Sequence, residues 1–132
     1  MKKNINKIVV SGGEGRFATV FKKIINSKNY FFPNKFQMNI LNLRSLENYL
    51  KLKKPKYFIH TAGLSRPMNM HDKKISKSID INIIGTSNLV KICNKHGIKI
   101  IFFSTSYIYP GTKGKYKEED PVKPWNNYGW SK

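Results

Sequence analysis

Short apolar runs alternate along the chain with longer segments in which apolar residues recur every three or four positions. The runs of strand length lie at residues 7–11, 29–32, 57–59 and 98–103. The helix-like segments lie at residues 17–25, 46–52 and 75–93, with the spacing of helices that pack one face on a sheet. This alternation predicts an α/β fold with a Rossmann-like doubly wound parallel sheet that has helices on both faces.

Local signals predict where these elements end and which side chains face inward. In the first helix the inward positions are expected to be Phe17, Val20, Phe21, Ile24 and Ile25. Ser45 is expected to cap the second helix, which ends before Pro55; Leu46, Tyr49, Leu50 and Leu52 are its inward positions. A long third helix is expected over residues 73–96, with Gly97 as its C-terminal cap. Its inward positions are expected to be Ile75, Ile79, Ile83, Thr86, Val90 and Cys93. Residues 98–103 are typical of a strand that is covered on both faces.

The first strand runs directly into a glycine-rich turn, Gly12-Gly13-Glu14-Gly15, and then into the first helix. In a dinucleotide-binding unit this order brings backbone N–H groups and a helix N-terminus close to a pyrophosphate. Gly12 and Gly15 occupy positions where a Cβ atom would interfere, and Ala18 suits the tight helix–strand contact. The turn therefore predicts nucleotide binding.

Composition limits the other classes of function. The chain has 132 residues and 39% hydrophobic residues, which suits one domain over residues 1–132. Its formal net charge is +18, but the basic residues are mostly lysines spread along the chain, which argues against specific nucleic-acid binding. No apolar run has the length of a membrane span, and a single cysteine, Cys93, suits a reducing compartment. We expect a cytoplasmic protein whose positive field attracts anionic nucleotides.

Tyr128 and Lys132 are four residues apart at the expected start of a helix, so they share one face. A nearby ammonium lowers the pKa of a phenol, and the pair can then transfer protons near neutral pH. Residues 12–17, 62–64 and 104–107 follow predicted strands, where ligands bind in such folds. The combination predicts a hydride-transfer site.

Five motifs together resemble the extended short-chain dehydrogenase/reductase superfamily, and within it most closely the dTDP-4-dehydrorhamnose reductases. The motifs are Gly12-x-x-Gly15-x-x-Ala18, His60-Thr61-Ala62-Gly63, Asn82-Ile83-Ile84-Gly85-Thr86, Ser104-Thr105-Ser106-Tyr107-Ile108-Tyr109-Pro110-Gly111 and Tyr128-x-x-x-Lys132. The resemblance implies that Thr105 orients a substrate carbonyl and that Tyr128 protonates its oxygen. It also implies that Lys132 holds the nicotinamide ribose and that Asn82 supports the lysine.

The same resemblance implies a set of cofactor-binding residues. They are Gly12, Gly15, Arg16 and Phe17 at the pyrophosphate, Asn39 at the adenine, Ala62 and Gly63 near a ribose, and Ser104, Tyr128 and Lys132 toward the nicotinamide. Asn34 and Lys35 stand where an acidic residue would bind the ribose 2′-hydroxyl of NAD. A cation there favours a 2′-phosphate, so NADPH is expected, with NADH as the alternative.

The sequence also departs from this reductase pattern. Ser106 follows Thr105 where an aspartate is usual, and Asn39 replaces another aspartate. Because the reductases are about twice as long, we expect this chain to be an N-terminal fragment, truncated after the fifth-strand region and inactive alone. The expected substrate is a nucleotide-linked 4-keto-6-deoxy sugar, with a homodimer possible for a full-length form. A sugar-nucleotide epimerase or epimerase-reductase is the alternative, as is a non-catalytic protein that resembles the regulatory subunit of methionine adenosyltransferase. No metal site is expected, since the histidines lack ligand spacing.

Overall fold

A parallel sheet organises the chain, which is described by a computed structural model over residues 6–25 and 28–132. Its strands are β1 (Ile8–Val10), β2 (Tyr30–Phe31), β3 (Tyr57–His60) and β4 (Lys99–Phe102). Within this part of the chain the sheet has four strands in the order β2-β1-β3-β4, and every pairing is parallel. The predicted Rossmann-like α/β fold is confirmed.

Helices cover both faces of the sheet. They are α1 (Arg16–Ile24), α2 (Leu43–Lys53), α3 (Met70–Lys73), α4 (Ile75–Ser78), a π-helix (Ile79–Ile84), α5 (Gly85–Lys95), a 3₁₀ helix (Ser106–Ile108) and α6 (Asn127–Trp130). Successive strand residues point to opposite faces. Phe31 packs against the core that α2 and α5 share, whereas its neighbour Tyr30 meets the ring of Phe21 in α1 at 5.7 Å. None of the helices in the described ranges is long and apolar enough to cross a membrane.

The predicted helix over residues 73–96 is confirmed as continuous helical structure over residues 75–95, in which a π-helix separates α4 from α5. Its predicted inward face, however, is largely wrong. Ile75, Ile79, Ile83 and Val90 are 39–50% exposed. The buried residues are Ser78, Asn82, Gly85, Leu89, Ile92 and Cys93. The predicted helical spacing is right, but the inward positions are shifted by about one residue. The shift arises because the face that meets the loop after β3 consists of small and polar residues. Gly97 does follow the helix end, with φ +64.

Other element predictions also need correction. In α1 the buried residue is Ala18, while Phe17, Val20 and Ile24 are exposed. Asn42 rather than Ser45 caps α2, since its side chain accepts a hydrogen bond from the Ser45 N–H, and Leu52 is exposed.

The predicted covering of the last strand on both faces is wrong as well. Ile101, Phe102 and Phe103 are 39–49% exposed. Because successive strand residues point to opposite faces, the exposure of Ile101 and Phe102 shows that neither face of β4 is fully covered. β4 pairs with β3 and lies at the edge of the described sheet.

Candidate active site

Three adjoining clefts follow the carboxyl ends of the strands. The first, of about 430 Å³, is lined by residues that include Gly12, Gly15, Asn34, Lys35, Asn39 and Ala62. The second, of about 480 Å³, includes Gly15, Arg16, Phe17 and Gly63. The third, of about 200 Å³, includes Phe17, Gly63, Ser104, Tyr128 and Lys132. Because neighbouring clefts share residues, the positions implied for cofactor binding line one groove.

The glycine turn lies against the loops that follow β2 and β3. Gly12 has φ +70, a conformation that favours glycine, and a Cβ atom on it would lie 3.1 Å from the Ala62 nitrogen. Gly13, which the sequence motif did not single out, is packed most tightly: a Cβ atom there would overlap the carbonyl of Phe32. Lys22 secures the turn by donating to the Gly13 carbonyl at 2.6 Å. Both glycines are therefore required for the turn to pack against these two loops.

Polar side chains in the first cleft also hold their own loop. Asn34 Oδ1 accepts hydrogen bonds from the N–H groups of Phe36 and Gln37, each at 3.0 Å. Asn39 Oδ1 accepts from the Leu41 N–H at 2.9 Å. An amide oxygen has two lone pairs, so Asn39 can accept one further bond. Lys35 is exposed and adds a positive charge at this end of the groove.

A buried histidine connects the ends of β1 and β3. Nδ1 of His60 lies 2.8 Å from Ser11 Oγ, and Nε2 lies 2.9 Å from Thr86 Oγ1. Ser11 Oγ already accepts from the N–H groups of Thr61 and Ala62, so its own hydrogen points to Nδ1 and the imidazole proton resides on Nε2.

Sequence reasoning missed this network because it did not establish which strands are neighbours. Burial, and secondarily the charge of Lys132, lower the pKa of His60 to about 4. The imidazole is therefore neutral at pH 7, and it adds no positive charge beside Lys132.

Tyr128 lies in α6, which Asn126 caps by accepting a hydrogen bond from the Gly129 N–H at 2.7 Å. Lys132 follows this helix, and its Nζ lies 4.7 Å from the centroid of the Phe102 ring. Burial lowers the pKa of Lys132. The side chains of Tyr128 and Lys132 line the same cleft beside Gly63 and Ser104, although α6 ends at Trp130 and Lys132 is not part of the helix.

Asn82 ties the loop after β3 to the Tyr128 helix. Its Oδ1 accepts from the Leu64 N–H at 2.7 Å, and its Nδ2 donates to the Leu64 carbonyl and to Ser131 Oγ, each at 2.8 Å. Ser131 in turn donates to the Tyr128 carbonyl. Asn82 is 4% exposed and sits in the π-helix, a local distortion common at functional sites. Ser131, which sequence reasoning missed, transmits this support.

Thr105 directly follows Ser104 after β4, and it is half-buried. Its Oγ1 accepts from the Tyr107 N–H at 3.3 Å and caps the 3₁₀ helix. The ring of Tyr107 lies 5.6 Å from that of Tyr128. The capping bond fixes the threonine at the end of β4, on the same edge of the sheet as Tyr128.

A glycine turn between β1 and α1, at the carboxyl edge of a parallel sheet in this strand order, defines a Rossmann-like fold. The family described as the RmlD substrate binding domain matches residues 6–132. The chain belongs to this family.

Curated relatives and solved structures agree with that assignment. The chain is 25% identical over 135 residues to the methionine adenosyltransferase 2 subunit beta of Pongo abelii, covering 96% of this chain and 40% of the relative. It is 25% identical to a dTDP-4-dehydrorhamnose reductase of Aggregatibacter actinomycetemcomitans, covering 96% and 44%. The reductase structure from Bacillus anthracis, in complex with NADP, superposes with a TM-score of 0.89 at 22% identity, covering 96% and 46%. The chain thus spans less than half the length of each.

Proposed function

We propose that this protein binds NADPH and serves in the reduction of a nucleotide-linked 4-keto-6-deoxy sugar. The observation that carries the proposal is the shared cleft of Tyr128 and Lys132, at the end of a groove that begins at the glycine turn. Because the chain spans 40–46% of the relatives' lengths, turnover is proposed for the whole protein.

The residues along the groove support the binding of a dinucleotide. The glycine turn and the N-terminus of α1 would hold the pyrophosphate, and Lys132 would bond the nicotinamide ribose hydroxyls. Lys35 would pair with a 2′-phosphate, which favours NADPH over NADH. The NADP in the Bacillus anthracis reductase structure supports this preference. The reduced dinucleotide, when bound, supplies a hydride.

The protein's own residues would then position the carbonyl and move the proton. Thr105 would donate a hydrogen bond to the carbonyl oxygen, and Tyr128 would give that oxygen its phenolic proton as the carbon accepts hydride, so that the ketone becomes an alcohol. The Lys132 ammonium would stabilise the resulting phenolate. Asn82 would act as a positioning residue, since it reaches the Tyr128 helix through Ser131.

A titration of NADPH fluorescence with the 132-residue chain tests cofactor binding. We expect Lys132→Met to weaken NADPH binding about tenfold, because a charge-assisted contact worth roughly 1.4 kcal/mol is lost. Lys91→Met, on the exposed surface of α5, is the matched control and should bind as the unsubstituted chain does. Equal affinities of the two variants would refute the proposed site.

A non-catalytic binding role is the second candidate, favoured by the similarity to a methionine adenosyltransferase subunit. A related epimerase or epimerase-reductase is a further alternative within the same superfamily. In the whole protein, the reductase role predicts that Tyr128→Phe abolishes reduction of a 4-keto sugar nucleotide and leaves NADPH affinity nearly unchanged. Retained reduction by this variant would contradict it.

A further inference from the structure

A cleft of about 350 Å³ lies next to Tyr128, apart from the groove proposed for the cofactor. Tyr128 lines both this cleft and the cleft of Lys132. The other lining residues include two rings, Tyr107 and Trp125, and three polar residues that the reductase proposal does not use: Asp72, Asn126 and Asn127. The phenol therefore separates the cofactor groove from a second binding space.

The two rings form a platform that leads away from Tyr128. The Trp125 indole stacks on the Tyr107 ring, with centroids 5.9 Å apart and planes 27° apart. The Tyr107 ring in turn meets Tyr128 edge to face at 5.6 Å. Trp125 is nevertheless 66% exposed. One face of the indole thus rests against the Tyr107 ring, and the rest of the side chain is accessible to a ligand.

The polar side of the cleft offers hydrogen-bond acceptors. The Asn127 amide donates to Asp72 Oδ1 at 2.9 Å, which fixes the carboxylate and leaves it free lone pairs for further donors. A negative carboxylate repels a phosphate but accepts bonds from hydroxyl groups. The cleft therefore suits a neutral, hydroxyl-bearing group rather than a diphosphate.

A buried histidine adds a further polar group. His71 is 1% exposed, and its ring lies 4.9 Å from that of Tyr128. Its Nδ1 lies 2.7 Å from Ser78 Oγ, whereas its Nε2 has no hydrogen-bond partner among the residues that the structure describes. A buried ring nitrogen without a partner marks a place where a ligand or a water molecule supplies the missing hydrogen bond.

We infer that Trp125, held by Tyr107, determines specificity by packing against the pyranose ring of the nucleotide-linked sugar. The inference rests on the proposed function, which puts the reacting carbon at the Tyr128 hydroxyl. A pyranose presents C–H groups on a ring face, and these complement the negative face of an indole. The nucleobase lies beyond the diphosphate, farther from the reacting carbon than the sugar ring is, so the sugar is the part that can reach the platform.

Ligand-detected saturation-transfer NMR tests this with dTDP-glucose as the probe and the 132-residue chain as the receptor. We expect transfer to the pyranose protons, reduced about three- to tenfold in Trp125→Ala, the loss expected for one aromatic contact. Trp125→Phe should retain most of it. Trp130→Ala is the matched control, because Trp130 is 68% exposed and does not line the cleft; its transfer should be unchanged.

Three results would overturn the inference: no transfer to the pyranose in the unsubstituted chain, equal transfer in Trp125→Ala and Trp130→Ala, or loss confined to the thymine protons. Equal melting temperatures of the two alanine variants establish that both are folded. NADPH titration of the same samples separates the two proposals. If NADPH binding depends on Lys132 but pyranose transfer does not depend on Trp125, only the sugar inference is refuted. If pyranose transfer depends on Trp125 but NADPH binding does not depend on Lys132, only the cofactor site is refuted.

Discussion

Asn82 offers the sharpest test of how the site is held together. We predict that Asn82→Ala destabilises the protein and loosens the Tyr128 helix, because this side chain makes three hydrogen bonds that join separate parts of the chain. Two of them hold the Leu64 backbone, and the third reaches Ser131 next to Lys132. Asn88→Ala is the matched control, since Asn88 lies in α5 and donates one bond, to the Ile40 carbonyl at 3.0 Å.

The magnitude follows from the number of bonds and their burial. A hydrogen bond contributes about 1 kcal/mol net, and a buried partner left unpaired costs about 1–3 kcal/mol. Asn82 is 4% exposed, so its loss should reduce the free energy of unfolding by about 3 kcal/mol. The Asn88 variant should lose about 1 kcal/mol. Since domains have a stability of about 5–15 kcal/mol, both variants should still fold.

Urea unfolding measures these differences, and hydrogen exchange locates them. In Asn82→Ala the amides of Leu64 and of residues 127–132 should exchange faster, whereas β1 and β3 should keep their protection relative to global stability. NADPH affinity should fall with the loosened Lys132. If both variants lose the same stability, or if exchange rises uniformly, Asn82 does not act as the tie between the two segments.

Two further predictions concern His60 and the glycine turn. The pKa of His60 is about 4 in the folded protein and about 6.5 in the unfolded chain. The neutral histidine therefore contributes about 3 kcal/mol of stability above pH 6.5, and this contribution is lost as the pH falls toward 4. Urea unfolding at pH 7 and pH 4 should show a smaller loss of stability in His60→Gln than in the unsubstituted protein, and equal losses would contradict the assignment. Gly13→Ala should lower the melting temperature more than Gly114→Ala does. A Cβ atom on Gly13 would meet the Phe32 carbonyl, whereas a Cβ atom on Gly114 would have nothing within 4 Å. Similar melting temperatures of the two variants would refute the packing argument.

The strands and the glycine turn could be predicted from sequence because their signals are local. A short apolar run followed by glycines and a helical period indicates β1, the turn and α1, whatever the rest of the chain does. The network of Ser11, His60 and Thr86 could not be predicted this way, because it depends on β1 lying beside β3, and the separation of 49 residues between Ser11 and His60 gives no local signal.

The inward face of the helical segments over residues 75–95 was mispredicted because periodicity counts only apolar residues. Leu89 and Ile92 do join the core, but Asn82, Gly85 and Thr86 also face inward. Each has a specific partner: Asn82 binds the loop after β3, and Thr86 binds His60. Gly85 admits the Ile40 side chain, whose Cδ1 would lie 2.6 Å from a Cβ atom there. A polar group is buried only where it is paired, so an inward amide or hydroxyl indicates a tertiary contact that hydrophobicity does not record. The motif Asn82-x-x-Gly85-Thr86 therefore carries information about tertiary contacts that the exposed isoleucines Ile79, Ile83 and Ile84 do not carry.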